Sequence, residues 1–449
     1  MVFPKFATFL LLTGLALAQT DPGPRPGPPS AGRPLPGLDA NELAYFNAGA
    51  DRFMEIDSVS GTQPGATGSG LGPRFNMNSC AGCHAQPTPG GSSPSPASKQ
   101  NPQVNPQIAV ATAYGATNTI PPFIQPSGPV RVVRFALNPD GSPDGGVHNL
   151  FVITGRADAV GCSIAQPDFG AAVAANNASF RIPTPLFGAG LVEAIPDDAI
   201  LANMAANAPR KQQLGIGGHV NRNANDGTIT RFGWKAQNKS LLLFGGEAYN
   251  VEQGVTNELF PTERDETPGC AFNATPEDST DVNATAPTGA MSDLVGFEHF
   301  MRYLAPPQSA PPGPPGSPMN ASVNHGSQVF AQIGCALCHT QSLSTGSSST
   351  AALSNQNANL YSDLLVHNMG TGLADGITQG LAQGDEWRTA PLWGLGQRIF
   401  FIHDGRAADL LQAIGAHASA GSEATGSVNA FNALPPPSKQ DLLNFLRSL

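Results

Sequence analysis

The stretch Ser79-Cys80-Ala81-Gly82-Cys83-His84 is the most informative part of this chain because it contains the pattern C-x-x-C-H. Two thiols at this spacing reach both vinyl groups of a porphyrin, and the histidine that follows becomes a ligand of the iron. The pattern recurs at Cys335-Ala336-Leu337-Cys338-His339. We therefore predict two covalently bound c-type haems. The predicted attachment residues are Cys80, Cys83, Cys335 and Cys338, and the predicted iron ligands are His84 and His339.

The 6 cysteines of the chain have two predicted uses. Four belong to the C-x-x-C-H stretches. A zinc knuckle is the alternative there, since cysteine and histidine also bind zinc, but it would need a fourth ligand at each stretch. Cys162 and Cys270 are left over, and in an oxidising compartment we expect them to form one disulfide. Two buried free thiols are the alternative for this pair.

The first residues have the pattern of a secretion signal. Lys5 supplies a positive charge, residues 6–17 form an apolar run, and Ala16-Leu17-Ala18 is a cleavage box. The run is too short for a membrane span, and the sequence offers no other candidate span. We predict that residues 1–18 are a signal peptide. Because the two haems would be attached after export, we place the protein in a bacterial periplasm.

Composition indicates a folded, loop-rich protein. Charged residues make up only 12% of the chain, against roughly 25% in ordinary domains, while 51 Gly and 42 Pro favour turns and loops. Hydrophobic residues still reach 40%, which is enough for a sizeable core. The net charge of −10 makes nucleic acid a poor partner.

Proline-rich segments mark the domain boundaries. Residues 19–38 are predicted to be an extended tether, and residues 305–319 a linker. Between them lies an enlarged N-terminal c-haem domain, 39–304, and after them a C-terminal cytochrome c domain, 320–449. Two internal matches favour a duplication: residues 300–304 resemble residues 445–449, and residues 185–190 resemble residues 391–396.

Hydrophobic periodicity predicts the main elements. Asp39 and Glu42 form a capping box that starts a helix, and a second helix covers residues 292–304. A last helix is expected to start at a capping box over residues 438–441. Residues 130–135 and 150–153 are predicted strands. The fold class is therefore mainly α and loop-rich, with two tandem cytochrome c-like haem domains and a small β element inserted in the first.

The sixth ligand of each iron decides the chemistry, because an iron with an open position can bind a small molecule. For the second haem the candidates are His367, Met369, His403 and His417, of which we favour His417 because it lies in a predicted helical stretch, 408–418, from which one residue could point at the haem. The first haem has no such neighbour. The nearest histidine after its motif is His148, with His219 further on, and either would have to fold over the haem from a distance. We therefore expect the first haem to be the reactive one.

A reactive haem that cleaves peroxide needs a group that moves a proton between the two oxygens. Glu193, a lone carboxylate in an apolar run, is the sequence candidate; the alternative is a helix-start or salt-bridging glutamate. Trp234 with its neighbour Lys235, Trp387 and Trp393 are candidates for the space between the haems, although ordinary core positions are the commoner role of tryptophan.

Six segments resemble the bacterial di-haem oxidoreductase family. They are GLGPRFN (70–76), PTPLFGAGLVEAIP (183–196), RFGWKAQ (231–237), SDLLVHNMG (362–370), EWRTAPLWGLG (386–396) and FIHDGRA (401–407). More distantly, the second half is similar to di-haem cytochrome c peroxidases. That resemblance implies a peroxidatic haem in the first domain and an electron-accepting haem in the second. It places His417 where those peroxidases have a distal Met, and Glu193 near their distal acid.

The functional hypothesis is a periplasmic di-c-haem oxidoreductase that takes electrons at the C-terminal haem and reduces a peroxide-like substrate at the N-terminal haem. The expected electron donor is a small redox protein or a quinol-linked donor. The alternative is a non-catalytic electron-transfer cytochrome in which both irons have two protein ligands.

Overall fold

A computed structural model describes residues 19–25 and 31–449, so the predicted signal peptide lies outside the described residues. The helices are α1 (Ala40–Met54), α2 (Cys80–Cys83), α3 (Pro106–Val110), α4 (Phe169–Ala174), α5 (Ala189–Ala194), α6 (Asp197–Ala205), α7 (Ala208–Leu214), α8 (Leu241–Ala248), α9 (Pro287–Ala290), α10 (Asp293–Tyr303), α11 (Pro318–Gln332), α12 (Leu410–Ala416), α13 (Thr425–Ala433) and α14 (Pro436–Ser448). The strands are β1 (Arg74–Phe75), β2 (Val132–Phe135), β3 (Val147–His148), β4 (Phe151–Val152), β5 (Ala178–Arg181), β6 (Asn221–Arg222), β7 (Ile229–Thr230), β8 (Leu343–Ser344), β9 (Asn357–Ala358), β10 (Val366–Asn368) and β11 (Glu386–Arg388).

Two pairs of crossing helices position the C-x-x-C-H stretches. Helix α1 crosses α10, and a Cβ on Gly49 would clash with the carbonyl oxygen of Gly296. Helix α11 crosses α14 in the same way, where a Cβ on Gly326 would clash with the carbonyl oxygen of Asp441. Glycine is needed at both crossings because only it lets the backbones approach so closely. In each pair, the first helix leads into one C-x-x-C-H stretch.

The predicted start of α1 is confirmed. The Asp39 carboxylate accepts hydrogen bonds from the backbone N–H groups of Asn41 and Glu42, each at 2.8 Å, and the Glu42 carboxylate accepts one from Asp39 N at 2.9 Å. The predicted start of the last helix is wrong. Helix α14 begins at Pro436, before the supposed capping box, because proline fits the first turn of a helix, where its missing N–H is not required.

The β element of the first half is a three-stranded antiparallel sheet in the order β3-β2-β5. Strand β2 is one of the predicted strands, but it pairs with β3 and β5, neither of which was predicted. The other predicted strand, β4, pairs with β1, just before the first C-x-x-C-H stretch. The two predicted strands therefore belong to different sheets.

A disulfide joins Cys162 to Cys270. Both cysteines lie in a buried cluster with Phe75, Phe151 and Ile164, so the bond lies inside a hydrophobic core of the first half. It connects chain segments that are 108 residues apart. Within the described part of the chain, no helix combines the length and apolarity needed to cross a membrane.

The described residues of the N-terminal segment, 19–25 and 31–38, are bonded to both helix pairs. Leu35 N donates to Tyr303 O at 2.8 Å, at the end of α10. Arg25 N donates to Gly396 O at 2.7 Å, and Asp21 forms a buried ion pair with Arg447 of α14. This segment therefore lies along the body of the protein and does not hang free of it.

Candidate haem sites

The first cavity is bordered by the stretch Cys80–His84 together with side chains from α1, β2, α8 and α10. Its histidine, His84, places Nδ1 3.0 Å from Gly91 O. Burial lowers the pKa of His84 to about 4, so the imidazole is neutral. With Nδ1 held by a carbonyl, Nε2 is the nitrogen left to bind a metal, which is the usual arrangement of a ligating histidine.

The second cavity is bordered by Cys335, Cys338 and His339, and by side chains from α12 and α14. His339 repeats the arrangement of the first site, because its Nδ1 lies 3.0 Å from Tyr361 O. Burial lowers the pKa of this imidazole, too, to about 4. Each C-x-x-C-H stretch therefore has its own cavity and a neutral histidine oriented by a backbone carbonyl.

The residues fit a haem in each cavity. None of the four motif cysteines is in a disulfide. Both cavities have mainly apolar walls, and each contains an arginine with buried donors that lack a partner: Nε and Nη2 of Arg398 in the second cavity, and Nε of Arg134 in the first. Burial lowers the pKa of Arg398 to about 10. Because a buried guanidinium is costly without an anion, the carboxylates of a haem would supply what these arginines lack.

His417 is the histidine that the structure leaves available in the second cavity. It follows α12, borders the cavity, and has its Nδ1 2.7 Å from Ala413 O, so its other ring nitrogen is not used by the backbone. His417 and His339 are close neighbours, since a positive charge on His417 would lower the pKa of His339 further. Two imidazoles with the same backbone support thus share this cavity.

The competing ligand candidates are engaged elsewhere. His367 has Nε2 3.0 Å from an Asp363 oxygen and Nδ1 2.7 Å from a Glu423 oxygen, so both of its nitrogens are occupied. His403 is stacked on Trp387 with ring centroids 3.7 Å apart and an interplanar angle of 12°. Met369 also borders the cavity, packed among apolar side chains.

Among the described residues that border the first cavity, His84 is the only histidine. His148 has Nε2 2.7 Å from an Asp144 oxygen, and His219 has Nε2 3.0 Å from a Glu386 oxygen, so neither folds over this site. Two methionines, Met77 and Met301, border the cavity.

Both methionine methyl groups pack against backbone. The Met77 methyl lies against Gly82 of the motif itself, and the Met301 methyl lies against Gly245 of α8. No second imidazole therefore borders this cavity among the described residues, and its two methionines pack against backbone.

Glu252 and Glu247 are the two acidic residues, among those the structure describes, that border the first cavity. Burial raises the pKa of Glu252 to about 7; Arg134 and Arg264 oppose this increase, whereas the charge of Glu247 adds to it. Glu252 lies in a π-helical turn, Tyr249–Gln253, that continues α8, and such turns are frequent at functional sites. The sequence analysis missed Glu252. The signal that was available is its place shortly after the apolar, glycine-containing run of α8.

Glu193, the acid suggested by the sequence, does not border either cavity. One of its oxygens accepts a hydrogen bond from Leu241 N at 2.8 Å, at the start of α8, and the other accepts one from Arg302 at 2.9 Å. This position does not support a role as proton carrier. It matches the alternative interpretation of a helix-start, salt-bridging glutamate.

The three tryptophans differ in position. Trp234 borders both cavities and donates Nε1–H to Ile182 O at 2.9 Å. Trp387 borders the second cavity only. Trp393 borders neither and packs in the core against Gly188. Trp234 is therefore the tryptophan that lies between the two sites.

The two cavities and their paired motifs define a di-haem redox protein as the class. Residues 150–449 match the family described as "Di-haem oxidoreductase, putative peroxidase". The chain belongs to this di-haem oxidoreductase family, as its sequence motifs indicated. The matched range includes the second C-x-x-C-H stretch and begins after the first.

Several solved structures show a low similarity. A hydrazine synthase from Kuenenia stuttgartiensis is 18% identical to this chain, with a TM-score of 0.23. The match covers 36% of this chain and 56% of the hydrazine synthase chain, so this chain spans little more than half the length of that relative. A MauG-like protein associated with microbial copper homeostasis is 15% identical, with a TM-score of 0.31, and the match covers 60% of this chain and 90% of the MauG-like chain. The diheme peroxidase BthA from Burkholderia thailandensis is 15% identical, with a TM-score of 0.29, and the match covers 60% of this chain and 86% of the BthA chain. None of the curated proteins compared with this chain matches it.

Proposed function

We propose that this protein is a periplasmic di-c-haem oxidoreductase that reduces a peroxide-like substrate at the first cavity with electrons taken up at the second. The observation that carries the proposal is the contrast between the sites. Four histidines border the second cavity, and of these His417 shares with His339 a ring nitrogen that no other side chain engages, whereas His84 is the only histidine among the described residues that border the first cavity, together with the carboxylates of Glu247 and Glu252. When bound, a haem with two protein ligands transfers electrons, and one with an open position activates a small molecule.

The internal repeat supports two tandem haem domains as the architecture. A Cβ on Gly190 would clash with the carbonyl oxygen of Arg302, and a Cβ on Gly396 would clash with that of Arg447. These are the segments that match in sequence. The same contact, between the last glycine of the matched segment and the arginine of a helix, therefore occurs in each half of the chain, as a duplication would produce.

Glu252 is our proposed proton carrier. Reduction of hydrogen peroxide consumes two electrons and two protons and yields two water molecules, and a base that takes one proton and returns it to the departing oxygen accelerates the cleavage. A carboxyl with a pKa of about 7 can accept and release a proton near neutral pH. Arg134 borders the same cavity and favours the ionised form of Glu252, since its positive charge opposes the increase in the pKa of that carboxyl.

Export and the electron donor are also parts of the proposal. The predicted signal peptide and the c-type attachment motifs support a periplasmic location. A small redox protein or a quinol-linked donor would supply electrons at the second cavity. A double variant, Cys335→Ser with Cys338→Ser, should lose one of two covalently held haems, which mass spectrometry of the unfolded chain would count.

The test compares two glutamate variants of the haem-loaded protein. We expect Glu252→Gln to lower the rate of hydrogen peroxide reduction by about 100-fold, within the usual range for an acid-base group. Glu193→Gln is the matched control and should stay within about threefold of the wild type, because Glu193 lies outside both cavities. Equal losses in the two variants would contradict the assignment of Glu252.

The second candidate is the non-catalytic electron-transfer cytochrome, with Met77 or Met301 as the remaining ligand of the first haem. Electron paramagnetic resonance of the ferric and half-reduced protein separates the two functions. A high-spin signal supports the oxidoreductase, and two low-spin signals in every redox state support the cytochrome. His417→Ala should add a high-spin signal from the second haem, and its absence would rule out His417 as ligand.

A further inference from the structure

Asp57 is a buried carboxylate near the first cavity that the proposed function does not use. It is only 3% exposed and follows α1, in the segment that leads to the first C-x-x-C-H stretch. Its backbone N–H donates to Asn78 O at 2.8 Å, two residues before Cys80. No hydrogen-bond donor among the described residues reaches its side chain. A buried carboxylate without a donor is costly when ionised, so it needs either a proton or a cation.

The charged groups that face Asp57 are mostly acidic. Glu55 lies two residues before it, Asp293 begins α10, and Glu277 lies in the loop before α9. Arg52 is the cation that opposes them, and it is engaged by Glu55 at 3.0 Å and by Asp293 at 3.2 Å. Burial raises the pKa of Asp57 to about 8; the charges of Glu55, Asp293 and Glu277 add to the increase, and that of Arg52 opposes it.

A second carboxylate connects Asp57 to solvent. An ideal Cβ on Gly68 would lie 2.2 Å from Asp57 Oδ1 and 2.4 Å from Glu55 Oε1, so the two oxygens converge on one face of Gly68. The side chain of Glu55 is 14% exposed. Protons can therefore reach Asp57 from solvent by way of Glu55.

A bound cation is the other way to stabilise Asp57. Calcium, the cation that carboxylates most often hold, takes six to eight oxygen ligands. Among the described residues, the one group of three or more side chains placed to hold a metal is Cys338, Asp363 and His367, in the second half of the chain. No third carboxylate therefore joins Asp57 and Glu55 closely enough, and the geometry favours a proton.

The charge of Asp57 acts on the wall of the first cavity. Tyr249 and Cys80 both border this cavity. Burial raises the pKa of the Tyr249 hydroxyl well above its usual range, and a negative charge on Asp57 raises it further. The pKa of a free Cys80 thiol is raised in the same way, first by burial and then by Asp57. A charge that acts on the attachment residue also acts on a haem held there.

We propose that Asp57 takes up a proton from solvent when an electron enters the first haem, and releases it when the electron leaves. The inference rests on the proposed function. One electron from the donor and one proton from solvent enter together, and the carboxylate becomes a carboxyl, so the net charge does not change. Because such coupling is reciprocal, a neutral Asp57 raises the potential of the first haem and an ionised one lowers it. Asp57 is a positioning residue, since it acts through the haem and touches no substrate.

The experiment is a redox titration of the haem-loaded protein with EDTA present, at pH values from about 6.5 to about 9.5. The Glu252→Gln background is used, because Glu252 borders the same cavity and has a pKa of about 7. The potential of the first haem should fall by about 59 mV as the pH rises, which corresponds to a proton affinity about tenfold higher in the reduced state.

Addition of Asp57→Asn should remove this fall and hold the potential at its low-pH level, because the amide is always neutral. Asp51→Asn is the matched control: it removes an exposed carboxylate of α1, where solvent screens the charge, and should keep the fall. If Asp57→Asn does not fold, Glu55→Gln is the second variant. It should move the fall to lower pH, since one charge that disfavours an ionised Asp57 is gone.

Two results overturn the proposal: no fall in the background protein, or the same fall after Asp57→Asn. A potential that responds to added calcium but not to pH would also overturn it, by placing a cation at Asp57. The titration contains no peroxide, so it separates the two proposals. A protein that consumes no peroxide but shows the fall contradicts the proposed function and supports proton uptake at Asp57.

Discussion

Replacement of Asp21 by alanine should lower the free energy of unfolding by about 3 kcal/mol, although Asp21 lies in a segment that the sequence marks as a tether. Its carboxylate accepts hydrogen bonds from Arg447 Nε and Nη2, both at 2.6 Å, and from Leu410 N at 2.8 Å. The two side chains are only 7% and 4% exposed. Loss of Asp21 leaves the guanidinium buried without an anion, which costs about 3–5 kcal/mol. We take the lower value because Asp21 and the described residues beside it are only partly buried.

Urea unfolding of the haem-loaded protein, followed by circular dichroism, measures this loss. A double-mutant cycle with Arg447→Met separates the ion pair from other effects, because the double variant no longer contains an unpaired charge. Asp39→Ala is the control for a solvent-exposed carboxylate; it removes only a helix cap and should cost about 1 kcal/mol. A loss below about 1 kcal/mol in Asp21→Ala would refute the reasoning, since it would mean that the segment is not seated on α14.

The pH dependence gives an independent check on Asp21. Burial would raise its pKa, but hydrogen bonds from Arg447, Gly23 and Leu410 outweigh burial and hold the pKa below the usual 3.8. A carboxyl whose pKa is lowered by folding contributes stability above its unfolded pKa and loses it as the pH falls through the folded pKa. The wild type should therefore lose more stability in acid than Asp21→Ala does.

Three further outcomes are expected. Peroxide reduction by the wild type should increase as the pH rises through about 7, since Glu252 must be ionised to accept a proton, and a stopped-flow pH profile of Glu252→Gln should lack that step. Arg398→Met should lower the midpoint potential of the second haem in a redox titration, because a cation beside a haem favours the reduced state; an unchanged potential would place Arg398 away from the haem. Cys80→Ser should change the spectrum of the first haem and leave the potential of the second within experimental error, whereas a shift in both would indicate that the sites are not independent.

The local features of this chain could be predicted because each depends on residues close in sequence. The C-x-x-C-H spacing, the capping box at Asp39 and the helix ending at Tyr303 need only local geometry. His417 could also be proposed as an iron ligand from the sequence. A histidine in a helical stretch, at a family-supported distance from His403, is a local signal. The supposed capping box near the last helix failed for a local reason, because Pro436 starts the helix earlier.

The acid at the first cavity could not be predicted in the same way. Glu193 and Glu252 are both glutamates beside apolar runs, and what separates them is the path of the chain. That path brings α8 and the turn after it to the cavity, while it directs Glu193 to Arg302. The raised pKa of Glu252 is a result of burial by residues distant in sequence, which no local pattern contains.

The sequence by itself identified the family, and it predicted the haem-attachment residues, their histidines and the helices that lead to each motif, because covalent spacing and hydrophobic period are local properties. Tertiary structure alone engaged His367 and His403 with other side chains, brought Glu252 to the first cavity, and placed Trp234 between the two cavities. It also seated the N-terminal segment on α14 and buried Asp57 among other acidic side chains. These depend on contacts between residues far apart in the chain, whose distances and solvent exposure exist only after folding.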